Sequence, residues 1–354
     1  MSSRLSRRLI SLRLTLAVVL SVLAVSLTPA TPAVAADPRD QLQYPLQLDR
    51  GPAPRVLSMV GNVVRFADGR TVTFERPAGV TGHARLIGRF RSDAVVWAPY
   101  GERRSAVFKV SPTGRVTMLG QPWSDRYREN GWQIAGTVLD VATYDARSRT
   151  RLSKARLVDG AVRRTWTSAA RETWTLLDVT PHRAAIGNGS RLKLWKGDGS
   201  FERVFVRAGN RYGDVSFASL RHDWFAHRTS NGTELRRLSA PGRVEWLQGY
   251  ENEMLPFDIS GDGSVLLTTE YETYSPQLRD ARTGRILRSY HGGYHSAYNS
   301  NTQLVLEGSR AFLVVMEMRI KGKHREVLVR CTMGGDCERA SRVASSITLV
   351  TYGS

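Results

Sequence analysis

One mark recurs seven times along this chain: a glycine behind a turn-forming residue, followed by a short apolar or β-branched run. The pairs are Asp68-Gly69, Thr113-Gly114, Asp159-Gly160, Asp198-Gly199, Pro241-Gly242, Thr283-Gly284 and Gly334-Gly335. Successive glycines lie 45, 46, 39, 43, 42 and 51 residues apart. Glycine there supplies the positive φ that a tight hairpin needs. The clearest unit between marks covers residues 254–290. It reads as four short strands, 257–260, 265–270, 277–281 and 286–290, separated by Gly261-Asp262-Gly263, the polar stretch 271–275 and Thr283-Gly284. A four-stranded unit of this size cannot bury both faces alone, so its neighbours must stack on it.

A period of roughly 40–45 residues with four strands per unit is the pattern of a β-propeller. The expected fold is therefore all-β: a seven-bladed β-propeller of four-stranded antiparallel blades over residues 51–354. The first blade is one strand short, with only 56–60, 62–66 and 71–75 in view. The apolar, β-branched run 346–352 supplies the missing strand, so pairing of the N- and C-terminal strands is expected to close the ring and hide its edges. Three consecutive units begin with an Asp, a β-branched residue and a hydroxyl: Asp178-Val179-Thr180, Asp214-Val215-Ser216 and Asp258-Ile259-Ser260.

With Ser260, Asp262, Gly263, Asp280, Thr283 and Gly284 in their order, the chain resembles the exported propellers with WD-like, TolB-like and YVTN-type repeats. The resemblance is full in one blade and partial in the others. It departs from true WD repeats, since no Gly-His pair opens a blade and only Leu194-Trp195-Lys196 is similar to the Trp-Asp end. It implies a scaffold fold shared by proteins of very different roles.

Upstream of the repeats, residues 1–13 carry Arg4, Arg7, Arg8 and Arg13 with no acidic residue, and 14–27 are apolar. Small residues follow, suited to cleavage after Ala35 or Ala36. Residues 1–36 read as a secretory signal peptide, with a retained short anchor as the rival reading. Residues 37–50 form a polar lead-in. Export gives meaning to Cys331 and Cys337, which flank the last turn and read as a hairpin disulfide. A redox motif needs tighter spacing, and a zinc site needs more ligands than these two and His324. The formal charge is +19, and +15 without the four arginines of the signal. Arginines such as Arg163-Arg164 and Arg236-Arg237 are spread over all blades, which points to a solvated outer surface. Attraction to anionic envelope polymers or lipid head groups is the functional alternative, with the protein at most peripheral to a membrane; nucleic acid is not an expected partner.

Connections between blades, and those from second to third strands, are rich in aromatic residues. They offer Trp123, Tyr127, Trp132, Tyr250, Glu251, Glu253, Tyr271, Tyr274, His291, Tyr294 and His295 as one candidate ligand face at a single end of the ring. Flat rings beside carboxylates and amides suit sugars or the anchors of a partner protein. Packing between blades is the competing role for Trp123, Trp132, Trp166 and Trp174. A metal at His291 and His295 would need a third ligand such as Glu251, Glu253 or Asp258. No nucleophile elbow, phosphate loop or zinc-protease motif is present. No cofactor or catalytic residue is assigned. The expectation is a secreted or extracytoplasmic binding or assembly scaffold for a protein or glycan, with a propeller lyase or hydrolase acting on polysaccharide as the alternative.

Overall fold

The computed structural model describes residues 45–350 apart from 103, 125–127, 136–137, 145–148, 170, 190, 197, 207–212, 250–253, 271–274 and 291–302. By internal contacts the chain divides at Pro38, and every described residue lies in the larger unit, Arg39–Ser354. The expected signal peptide therefore lies outside the described residues.

The fold is an all-β propeller of four-stranded antiparallel blades, and the described residues contain seven four-stranded sheets. The first joins β1 (Ser58–Val60), β2 (Val63–Arg65) and β3 (Thr71–Thr73) to the last strand of the chain, β28 (Ile347–Leu349), in the order β28-β1-β2-β3. The second is β4 (Arg85–Phe90), β5 (Asp93–Tyr100), β6 (Arg104–Val110) and β7 (Val116–Ser124). The third is β8 (Arg128–Ala135), β9 (Val138–Tyr144), β10 (Thr150–Arg156) and β11 (Val162–Thr167). The fourth is β12 (Thr175–Val179), β13 (Arg183–Asn188), β14 (Arg191–Lys196) and β15 (Phe201–Val206). The fifth is β16 (Asp214–Ser219), β17 (Trp224–Thr229), β18 (Gly232–Arg237) and β19 (Val244–Gly249). The sixth is β20 (Met254–Ile259), β21 (Val265–Glu270), β22 (Pro276–Asp280) and β23 (Ile286–Ser289). The seventh is β24 (Leu304–Leu306), β25 (Ala311–Ile320), β26 (Lys323–Thr332) and β27 (Cys337–Arg339).

Apolar side chains fill the seams between sheets. Leu57, Met59, Val64 and Phe74 of the first pack on Leu86, Val96 and Phe108 of the second, with Phe74 and Phe108 edge to face at 5.6 Å. Val305, Leu313 and Leu328 of the seventh pack on Val56, Ile347 and Leu349. Within the first sheet, Ser58, Met59 and Val60 lie opposite Leu349, Thr348 and Ile347.

The turn glycines explain their own spacing. Gly69, Gly114, Gly160, Gly199, Gly284 and Gly335 adopt positive φ, and each donates its N–H to a carbonyl three or four residues back. A Cβ on Gly160 would stand 2.6 Å from the Gly120 nitrogen of β7, and one on Gly284 would stand 2.6 Å from the Trp246 ring of β19. The third-to-fourth-strand turn of one sheet is thus pressed on the outer strand of the sheet before it. Gly242 is the exception, with no positive φ and open space around it, because the connection from β18 to β19 is longer. The expectation of one turn geometry at all seven positions fails there.

Five inner strands carry one extra residue against their neighbour: Ile87, Asn130, Leu177, Ser216 and Phe257. Such a bulge bends the strand and re-aims the residue after it. It also corrects the alignment of the three Asp-led segments. Asp178 and Asp258 follow their bulges directly, whereas Asp214 precedes its bulge by two residues, and Phe217 holds the matching place.

At the seam between last and first sheets, the lead-in is tied to an outer edge. Arg50 bridges Arg339 in parallel, Gly51 N donates to Arg339 O, and Arg339 Nε donates to Leu48 O. This covers the unpaired side of β27. Cys331 and Cys337 stand opposite each other in the β26–β27 ladder and are joined by a disulfide.

Candidate binding face

In a sheet whose strands run up and down in order, the link to the next sheet and the link between second and third strands leave from the same end. Hydrogen bonds between the two kinds of link bear this out where both are described. Before β4, Thr81 N donates to Pro99 O at 3.1 Å, and Gly101 N donates to Gly79 O at 2.8 Å. Around the fourth sheet, Asn188 Nδ2 donates to Thr173 O at 2.6 Å, and Arg191 pairs with Glu172 at 2.9 Å. The Arg191 hydrogen bond holds the Glu172 carboxyl below its ordinary range. Between the fifth and sixth sheets, whose link lies outside the described residues, Thr233 Oγ1 near the start of β18 donates to Met254 O at the start of β20 at 2.9 Å.

The β25–β26 hairpin belongs to this end. Its ladder continues for six residue pairs beyond the last pairing of β24, from Val315–Leu328 to Ile320–Lys323. At about 3.4 Å per residue these pairs span on the order of 20 Å, and Val315, Met316, Met318, Val327 and Leu328 along them are buried. Its tip turns through Lys321 and Gly322, both at positive φ, and exposes Arg319, Lys321, Lys323 and His324. His324 Nε2 meets Glu317 Oε2 at 2.9 Å across the ladder, so its role is a local pair.

Tyr127, Tyr250, Glu251, Glu253, Tyr271, Tyr274, His291, Tyr294 and His295 lie outside the described residues. The described residues that flank them are Ser124 and Arg128, Gly249 and Met254, Glu270 and Ser275, and Tyr290 and Gln303. All are ends of the two kinds of link just described. Trp123 and Trp132 are corrected: neither lies in a connecting loop. Trp123 is paired with Ser105 in the β6–β7 ladder, and Trp132 stands opposite Val141, five residues into β8. The alternating apolar residues that follow Trp132 extend the strand back over what reads as a loop. Trp166 and Trp174 pack, with ring centroids 6.3 Å apart and Trp166 4.8 Å from Phe201.

The part played by two aspartates that open sheets is not legible in the sequence: each ties one sheet to the next. Asp178 accepts N–H bonds from Val179 and, across a seam, from Leu220 at 2.6 Å. Asp258 does the same with Ile259 and, at 2.8 Å, with Leu306. Burial pushes these carboxyls up, to about 6 for Asp178 and about 7 for Asp258. Thr348 Oγ1 plays the corresponding part between the first and second sheets, accepting from Leu86 N at 3.0 Å. Asp258 is thereby removed from the candidate metal ligands. Among the described residues no group of three His, Cys, Asp or Glu could hold a metal ion.

The arginine expectation also needs correction. Arg236, Arg279 and Arg330, on the third strands of three consecutive sheets, are 6%, 1% and 6% exposed. Arg236 is forked onto Glu234, which His227 Nδ1 also meets at 3.3 Å. Arg279 is held by Gln277, by Gly284 O and by Gln248 of the preceding sheet. Burial lowers its pKa to about 10, which leaves it charged at neutral pH. Arg330 bonds Glu307, Glu338 and the carbonyls of Pro52 and Ala53, pinning the lead-in to the last sheet. The legible trace was Glu-x-Arg at 234–236 and Gln-x-Arg at 277–279, each just before a turn. Arg163 and Arg164 are exposed, as expected.

No family model matches the chain, and no curated protein matches it. Solved structures do. A chain of a mitotic checkpoint complex is similar at 10% identity and a TM-score of 0.52, covering 86% of each chain. The uncharacterized protein lmo1340 from Listeria monocytogenes EGD-e is similar at 10% identity and 0.49, covering 78% of this chain and 86% of that one. The Cps50 (Swd1) β-propeller domain of Myceliophteria thermophila is similar at 10% identity and 0.49, covering 74% and 89%. At such identity the likeness concerns the fold.

Proposed function

We propose that this chain is an exported, seven-bladed ring, completed by pairing of its last strand with its first sheet, that acts as a non-catalytic binding or assembly scaffold. Its ligand is a protein or a glycan, held at the end where links between sheets meet links between second and third strands. The observation that carries this reading is the hydrogen bonding between those two kinds of link, as in Thr81 with Pro99 and Asn188 with Thr173. Each bond sets the link that enters a sheet beside that sheet's own second-to-third-strand link, and the densest aromatic segments of the sequence fall in links of these two kinds. Buried Asp178, Asp258 and Arg279, by contrast, bond across to neighbouring sheets, and Arg330 bonds the segment before β1, which suits a rigid platform.

Export rests on the basic, apolar and small-residue order of residues 1–36 and on the Cys331–Cys337 bond, a form favoured in oxidising compartments. The test is a glycan array and a pull-down with the chain from residue 37 onward. Replacing Tyr274 and Tyr294 together by Ala should weaken capture of the identified ligand by about tenfold or more while the melting temperature stays put, as for central aromatic anchors. Undiminished capture would remove this end as the binding face.

A further inference from the structure

The seam between the first and seventh sheets is apolar only along its inner part. Further out it opens into a recess of about 430 Å³ between the β1–β3 ladder, the lead-in and the segment after β27. Register explains its chemistry. Ser58, Arg65 and Thr71 stand side by side across β1, β2 and β3, as do Val60, Val63 and Thr73, so all six share one face. The alternate residues Met59, Val64 and Val72 face the second sheet. Arg50 and Arg342 complete the lining from the opposite side.

Three arginines therefore line one cavity whose lining contains no carboxylate. The nearby acids are committed elsewhere: Asp68 to Arg70, and Glu307 and Glu338 to Arg330. Arg50, Arg65 and Arg342 form no ion pair among the described residues, and the Arg65 guanidinium makes one long hydrogen bond, donating to Gly69 O at 3.4 Å. At the floor, Ser58 is fully buried and its Oγ has no hydrogen-bond partner. A buried hydroxyl left unpaired, beside unneutralised arginines, is an arrangement that an incoming acceptor completes. Guanidinium forks match oxyanions, and the volume exceeds a bare ion, lying within the roughly 300–1,000 Å³ typical of small-molecule sites.

We propose that this recess binds an organic oxyanion, a small molecule or polymer unit carrying a phosphate, sulfate or carboxylate group. Arg65 and Arg342 grip the anionic group from opposite walls, and the Ser58 hydroxyl donates to it from the floor. The site uses none of the aromatic residues of the proposed binding face, so either can fail without the other.

Isothermal titration of the chain from residue 37 onward with glucose 6-phosphate, glucuronate and neutral glucose tests it. At least one acidic probe should bind with a submillimolar dissociation constant and glucose should not; which acid binds better separates phosphate from carboxylate recognition. Arg65→Gln with Arg342→Gln should weaken binding about tenfold or more. Ser58→Ala, which removes an unpaired buried group, should weaken it about threefold without lowering the melting temperature. The exposed pair Arg163→Gln with Arg164→Gln controls for diffuse charge and should leave binding unchanged. Failure of both acids to bind, wild-type affinity in the Arg65/Arg342 variant, or equal loss in the Arg163/Arg164 control would each overturn the proposal.

Discussion

Gly160 and Gly242 hold the same place in the repeat and face opposite demands in the fold. At Gly160, φ is +72° and the neighbouring β7 backbone lies 2.6 Å from where a Cβ would stand. An L-residue there pays for its backbone conformation and must also push two sheets apart, so Gly160→Ala should cost about 2–4 kcal/mol. At Gly242 neither demand exists, and Gly242→Ala should stay within about 0.5 kcal/mol. Urea denaturation of the two variants checks the contrast; equal effects would contradict the packing described for the turns. A second prediction concerns Asp178 and Asp258. Unfolded carboxyls titrate near 4, while the folded ones titrate at about 6 and about 7. Between those values the native state holds the extra protons, so the contribution of these two groups to stability falls as pH rises from 4 to 7. Asp258→Asn removes one of the titrations. Its melting temperature should therefore change less between pH 5 and pH 8 than that of the parent, by about 5 °C. An identical pH profile would mean that the Asp258 carboxyl titrates as it does in the unfolded chain.

The elements were readable to different depths. The strand at 265–270 was placed residue for residue, because an apolar β-branched run between two turn signals leaves no other register. The inner strands were not, because a bulge adds a residue without leaving a mark in composition. That is why Asp214 was aligned with Asp178 and Asp258, and why Trp132 was put in a loop. The sequence points Arg236 to the surface because it shows charge but not the carbonyls and side-chain acceptors that make burial of an arginine tolerable. Aromatic clustering in links between strands is visible in the sequence, although most residues of the candidate face lie outside the described ones; the recess is not visible there, since it arises where residues 50–73 and 340–342 meet across the chain ends. The cysteine pair was readable, because six residues around a turn set two positions opposite each other. A thiol count on the denatured, unreduced chain from residue 37 should find no free thiol, and reduction should cost about 2 kcal/mol for so short a loop. Two free thiols would contradict both the bond and the export argument.

At the scale of the molecule, the repeat is legible because six of the seven last turns need a glycine at positive φ, whereas its partner surfaces are set by residues far apart in sequence. In the proposed ring the C-terminal strand makes the closure, and β28 pairs with β1 in the first sheet. Ile347 and Leu349 are buried against Val305, Leu313 and Val315 of the seventh sheet, and Thr348 accepts the Leu86 N–H of the second. Burial of two such side chains and one seam hydrogen bond is worth on the order of 5 kcal/mol. At about 2–4 °C per kcal/mol for a chain of this class, removing residues 346–354 should lower the melting temperature by about 10 °C or more. A melting curve of the chain 37–345 beside that of 37–354 measures this directly. The account predicts that large downward shift; coincident curves would contradict it, because the first and last sheets would then hold together without the strand that joins them.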